Sequence, residues 1–194
     1  MLDIRPVYAS DIETIARIHA ESWRDSYRGI LRDAYLDGDI LSERQALWAS
    51  RLQDPQPGQI GLLASSGGNA VGFAFAFPGA HARWGTLLDN LHVRPTQRGG
   101  GIGTQLLHAL TEHVLTHHPG QGLFLWVYEL NARARKYYEG LGAEKIERAE
   151  IAAPCGGTVA EWLYVWPDIE MLYEATRGTP SREYLGPASP PPTG

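Results

Sequence analysis

Four glycines within five residues, Gly99, Gly100, Gly101 and Gly103, separate an apolar run ending at Val93 from an amphipathic stretch over Gly101–His117. Apolar residues at Ile102, Leu106, Leu107, Leu110 and Val114 recur at helical spacing, so this stretch reads as a helix with one buried face. The next apolar run, Gly122–Tyr128, reads as a strand. A strand, a helix and a second strand in this order form a crossover, which makes the two strands parallel neighbours.

The rest of the chain does not repeat that pattern. Leu2–Val7 alternates like a short strand, and Ser10 opens a helix with Glu13 at capping-box spacing. Ile12, Ile15, Ala16, His19 and Trp23 form its buried face, and Leu41–Leu52 supplies a second helix. Ile60–Ala64 and Ala70–Phe77 read as a hairpin around Ser65–Asn69, and Trp84–Val93 as a third strand. After Gly122–Tyr128 come a helix at Asn131–Gly140 and strands at Glu144–Ile151 and Thr158–Val165. The order β-α-α-β-β-β-α-β-α-β-β predicts an α+β fold with a mixed, mostly antiparallel sheet; doubly wound folds alternate strand and helix throughout.

The strand–glycine–helix junction is suited to an anion. First-turn amides lack intrahelical acceptors, the helix dipole favours negative charge, and glycine lets a phosphate approach the backbone. A Lys-Ser/Thr pair would mark a P-loop, but Ile102-Gly103-Thr104 has no lysine. A dinucleotide fingerprint needs an acidic residue about 20 positions on, and His117–Gly122 contains none.

Arg98-x-x-Gly101-x-Gly103, after Val93-x-Pro95 and before Leu106-Leu107, resembles the acetyl-CoA loop of the GCN5-related N-acetyltransferases (GNAT). Leu125-Trp126-Val127 with Asn131-x-x-Ala134-x-x-Tyr137-Tyr138-x-x-x-Gly142 resembles the second half of that family's cofactor fold. The resemblance covers about residues 2–166 and implies a GNAT domain over 2–167, followed by a C-terminal extension over 168–194 that is rich in Pro and Gly.

The family's fold implies a twisted sheet that splays into a central V-groove flanked by helices. It further implies acetyl-CoA as co-substrate, with its pantetheine bonded to backbone across Leu91-His92-Val93. Arg98, Gly99, Gly100, Gly101, Ile102, Gly103 and Thr104 would hold the pyrophosphate, with the Arg98 guanidinium at the rim. Asn131 would contact the pantetheine arm, cap its helix, or both. Tyr138 matches the tyrosine that many relatives place beside the sulfur, where a phenol can protonate a leaving thiolate; Tyr137 reads as core. Trp126 and Leu87 stand where relatives carry a glutamate base, which leaves Asp89 or His92, or relay through water. Trp23 and Tyr27 would wall the acceptor pocket, with Glu21 as a cation partner.

The expected reaction is direct attack by the amine of a small molecule or peptide on acetyl-CoA in a ternary complex. A non-catalytic acyl-CoA sensor, or an enzyme using another acyl group, fits the same motifs. With Lys+Arg 17 against Asp+Glu 22, the net charge of −5 argues against nucleic-acid and anionic-membrane partners. The one cysteine, Cys155, precludes an intrachain disulfide or a multi-cysteine zinc site, and His113 with His117 reads as a solvated face. No metal is expected. Polar Asp3 and Arg5 near the start and the lack of a long apolar run predict a cytoplasmic protein. The aromatic run Glu161–Trp166, read as an edge strand, suggests a homodimer unless the tail covers it.

Overall fold

The computed structural model describes residues 2–178. After β1 (Leu2–Pro6) come α1 (Ile12–Ser26), α2 (Asp33–Leu36) and α3 (Ile40–Gln53), then β2 (Ile60–Ser66), β3 (Asn69–His81) and β4 (Gly85–Val93). The second half runs α4 (Ile102–His117), β5 (Leu123–Tyr128), α5 (Ala132–Gly140), β6 (Glu144–Ala152), β7 (Thr158–Trp166) and α6 (Ile169–Thr176). The strands form one seven-stranded sheet in the order β1-β2-β3-β4-β5-β7-β6. Every neighbouring pair is antiparallel except β4–β5, so the sheet is the mixed, mostly antiparallel one that the element order predicts.

The period-2 pattern of β3 sorts the helices onto two faces. Phe73 and Phe75 pack with Ile15 and Ile18 of α1 and with Trp48 of α3. Ala74 and Ala76 point the other way, where their small size leaves room for Leu106, Leu107 and Leu110 of α4. These side chains are essentially buried on both faces, and burying each leucine or phenylalanine stabilises the fold by about 1.5–3 kcal/mol.

The local expectations for the start of α1 and the end of β3 change. A 3-10 turn at Ala9–Asp11 precedes α1, and no Ser10–Glu13 capping box forms. Asp11 takes its place, accepting the Tyr8 amide at 2.8 Å and the Arg5 guanidinium at 2.7 and 2.8 Å. A carboxylate held by an arginine fork outcompetes a serine hydroxyl, and Glu13 instead pairs with Arg17 one turn on. The strand expected to end at Phe77 continues to His81.

The strand carrying Glu161–Trp166 is not an edge. β7 lies between β5 and β6, and the outer strand β6 is largely exposed and carries Glu144, Lys145, Glu147, Arg148 and Glu150. Charge of this kind protects an edge, which removes the argument for a dimer through β7. The folded unit also runs past 167, because Ile169 and Leu172 of α6 are buried against the α4 layer. The Pro-rich end of the expected extension, from 179 on, lies outside the described residues. Among the described residues, no helix is long and apolar enough to cross a membrane.

Candidate functional site

β4 and β5 pair only at Thr86↔Leu123 and Leu87↔Phe124. The apex is tight: the Thr86 amide donates to Gly122 O at 3.0 Å. A Cβ on Gly122 would stand 2.7 Å from Trp166 O, which only glycine avoids. One residue later β4 bulges, with Phe75 opposite Asn90 and Ala76 opposite Leu88, so that Asp89 is the extra residue. A bulge bends its strand, and here the two strands part. Between them lies a cleft of about 790 Å³, lined by Leu91, His92 and Val93 on one wall and Leu125–Tyr128 on the other.

The glycine loop closes one end of this cleft. Gly99 and Gly101 have φ of +87° and +78°, which turns the chain into α4. The first intrahelical bond runs from the Gln105 amide to Gly101 O at 3.0 Å, so the amides of Ile102, Gly103 and Thr104 have no acceptor within the helix. Gly103 is informative for a different reason. A Cβ there would meet Val93 only at an ordinary 3.7 Å, so packing within the protein does not require glycine. Gly103 lines the cleft beside these amides, and a side chain there would take up space that an approaching phosphate needs. Gly99, Gly101, Ile102, Gly103 and Thr104 line the cleft, whereas Gly100 does not.

Arg98 lines the cleft too, but its guanidinium is not free at the rim. It donates to Val93 O at 3.1 Å, to Ser22 and Ser26 Oγ at 3.1 Å each, and to Asp25. Its side chain is only 13% exposed, and it clamps α1 to the β4–α4 loop. The Thr104 hydroxyl is likewise engaged, 3.2 Å from that of Tyr137, which places Tyr137 at the cleft instead of purely in the core.

Tyr138 faces the cleft from α5, packed edge-on against Trp166 with ring centroids 5.9 Å apart. Its hydroxyl has no hydrogen-bond partner among the described residues, and burial pushes the phenol well above its ordinary pKa. Asn131 caps α5, its Oδ1 accepting the Ala134 amide at 3.2 Å, and also lines the cleft.

The two candidate bases are both engaged. Asp89 accepts from Arg51 at 2.6 Å and contacts the Asn90 amide. His92 Nδ1 lies 3.0 Å from Ser22 Oγ, and burial, with help from the Arg98 and Arg44 charges, lowers its pKa to about 3. An imidazole of that acidity is neutral at pH 7 and a weak proton acceptor.

Of the three expected acceptor residues, only Tyr27 lines the cleft. Trp23 backs it edge-on at 5.1 Å and carries the Arg44 guanidinium 4.3 Å above its ring. Glu21 is held by Arg94, which also donates to Ala70 O, away from the cleft. Two lining residues escape the sequence reading. Arg133 sits exposed at the start of α5, and Glu161 projects from β7, half-buried and with no hydrogen bond or ion pair among the described residues. Burial raises the Glu161 pKa. Its sequence signal is an acid on the strand parity of Leu163 and Val165, both buried.

Among the described residues, no group of three or more His, Cys, Asp or Glu side chains could hold a metal ion. The His113 and His117 rings lie 4.4 Å apart and tilted, and Cys155 Sγ accepts the Arg32 amide in the β6–β7 turn.

Residues 15–143 match the Acetyltransferase (GNAT) family, and the chain belongs to it. It is 32% identical over 137 residues to a probable N-acetyltransferase of Mycobacterium tuberculosis, covering 70% of this chain and 76% of that one. The fold matches PaiA N-acetyltransferase from Thermoplasma acidophilum in complex with coenzyme A, with a TM-score of 0.64 at 20% identity over 83% of this chain and 98% of that one. It also matches YncA from Salmonella typhimurium with its cofactor acetyl-CoA, with a TM-score of 0.61 at 18% identity over 86% and 93% of the two chains.

Proposed function

We propose that this chain is an acetyl-CoA-dependent N-acetyltransferase that transfers the acetyl group to a primary amine by direct attack in a ternary complex. The observation that carries the reading is the pairing of the strand split with the free helix terminus. An extended acyl-pantetheine suits the walls of the cleft, and its pyrophosphate suits the amides of Ile102, Gly103 and Thr104. When bound, acetyl-CoA supplies an activated acyl group as a thioester.

The remaining work falls to the chain. Backbone groups of Leu91 and Val93 lie on the edge that β5 leaves unpaired, and there they can align the pantetheine and polarise a carbonyl. Holding both reactants in one cleft supplies proximity. The Tyr138 hydroxyl, kept protonated by burial, is the proton donor for the departing thiolate. Arg133, exposed at the start of α5 and lining the same cleft, can add positive charge for the cofactor's phosphates. Asp89 and His92 stay candidates for the amine's proton only through water, since each is already engaged.

Calorimetric titration with CoA, followed by thiol release from acetyl-CoA across a panel of amines, tests the reading. Binding with amine-dependent release is expected. Binding without release on any amine would make the chain a sensor. Faster release from succinyl-CoA or a longer acyl-CoA would change the acyl group.

A further inference from the structure

The cleft is electrically divided between the two faces of the sheet. The first-turn amides of α4 and the exposed Arg133 belong to the helices on the face where Tyr164 and Trp166 pack, and there an anion would sit. Glu161 shares the strand parity of Leu163 and Val165, which pack on the opposite face, and its carboxylate is half-buried and unpaired among the described residues. Asp89, the other acid of the lining, is balanced by Arg51 at 2.6 Å. Around Glu161 the surface is aromatic. Tyr128 is its partner in the β5–β7 register, Tyr27 meets the Tyr128 ring edge-on at 5.0 Å, and Trp126 shares the Tyr128 strand parity. A carboxylate beside aromatic rings recognises an ammonium group on an apolar body.

We infer that Glu161, Tyr128, Tyr27 and Trp126 form the acceptor subsite, and that the acceptor is an alkyl or arylalkyl primary amine with no carboxylate beside its nitrogen. This rests on the acetyltransferase reading above and narrows it. Glu161 draws the cationic amine into the cleft, and the rings take the carbon body out of water. An α-carboxylate would stand against the unpaired Glu161 charge, and a hydroxyl-rich amino sugar would bury polar groups against rings that cannot bond them. Glu161 is a specificity residue here, so its loss weakens acceptor binding more than turnover.

The experiment is steady-state thiol release from acetyl-CoA with phenethylamine, phenylalanine and glucosamine, using wild type, Glu161→Gln and Glu161→Asp. Wild type should favour phenethylamine over phenylalanine by at least about tenfold in kcat/KM. Glu161→Gln should raise the phenethylamine KM by about 10-fold or more and shrink that preference, with kcat within about threefold and the acetyl-CoA KM unchanged. Glu161→Asp keeps the charge and should fall between the two, which a purely steric role would not produce. Three results overturn the inference: an acceptor KM within about twofold in Glu161→Gln, phenylalanine or glucosamine used as well as phenethylamine, or no turnover of phenethylamine while calorimetry shows CoA bound. Failure to bind CoA overturns the acetyltransferase reading instead.

Discussion

Ser22 Oγ stands 3.0 Å from His92 Nδ1 and also accepts from Arg98 at 3.1 Å. The hydroxyl thus links the clamp on the glycine loop to a buried imidazole on the cleft wall. Close by, the His19 ring lies tilted at 4.6 Å from that of His92 and accepts the Trp48 indole N–H at 3.0 Å.

Both imidazoles are held neutral, mainly by burial: His92 at about 3 and His19 well below the ordinary value. In the unfolded chain each titrates near 6.5, so each takes up a proton on unfolding below that pH. Their contribution to stability is therefore full above about pH 6.5 and declines as the pH falls below that, for His92 down to about 3. The expected slope is about 1.4 kcal/mol per pH unit for each histidine. Urea midpoints measured from pH 7 to pH 4.5 should fall steadily, and His92→Gln should flatten that fall. A flat wild-type profile would mean that water reaches both rings.

For Tyr138→Phe, turnover should drop roughly 10²–10³-fold with CoA affinity little changed. Burial raises the phenol's pKa, so the acid stays loaded far into alkaline solution and should impose no basic limb on the pH–rate profile. Turnover within about threefold of wild type, with chemistry limiting, would return the proton to water.

Gly101 and Gly103 should fail differently. Gly103→Ala adds a Cβ that meets the protein only at 3.7 Å, so the melting temperature without ligand should hold while CoA binding weakens by about tenfold or more. Gly101→Val forces a β-branched residue to φ +78°, so both stability and binding should fall. Differential scanning fluorimetry with and without CoA separates the two.

Arg98→Ala should act chiefly on stability. The guanidinium bonds Val93 O, two serines and Asp25, and losing a charged hydrogen bond of this kind costs about 1.5–3 kcal/mol. Lysine cannot reproduce the fork, so Arg98→Lys should recover little of the lost unfolding free energy in urea. A stable Arg98→Ala protein that cannot bind CoA would instead put the side chain on the phosphate.

The sequence made the sheet and the glycine loop readable because both rest on local patterns. Phe73 and Phe75 alternate with Ala74 and Ala76, and Gly101 stands where a positive φ is needed. Side-chain partners across the fold were less accessible. Nothing near Arg98 announces Asp25 and Ser26, 73 and 72 residues away. Glu21 lies one turn from Asp25 on α1, yet the Arg94 guanidinium takes it out of the cleft. Glu161 was hidden by strand order. Read as the start of an exposed edge it looked ordinary, and only the insertion of β7 beside β5 brings it opposite Tyr128.

That sheet order carries a further consequence. Where β4 and β5 part, the sheet acquires two extra margins in its interior, each with unpaired backbone donors and acceptors. Margins of this kind ordinarily invite another chain to add a strand, and proteins aggregate through them. These are roofed by α4 and α5 on one side and by α1 on the other, in a slot lined by Tyr27 and Tyr138. A polypeptide strand would bring a side chain on every residue against these helices. A narrow, unbranched amide chain brings none, so the cover that shields these margins from neighbouring chains favours such a chain as what completes the sheet.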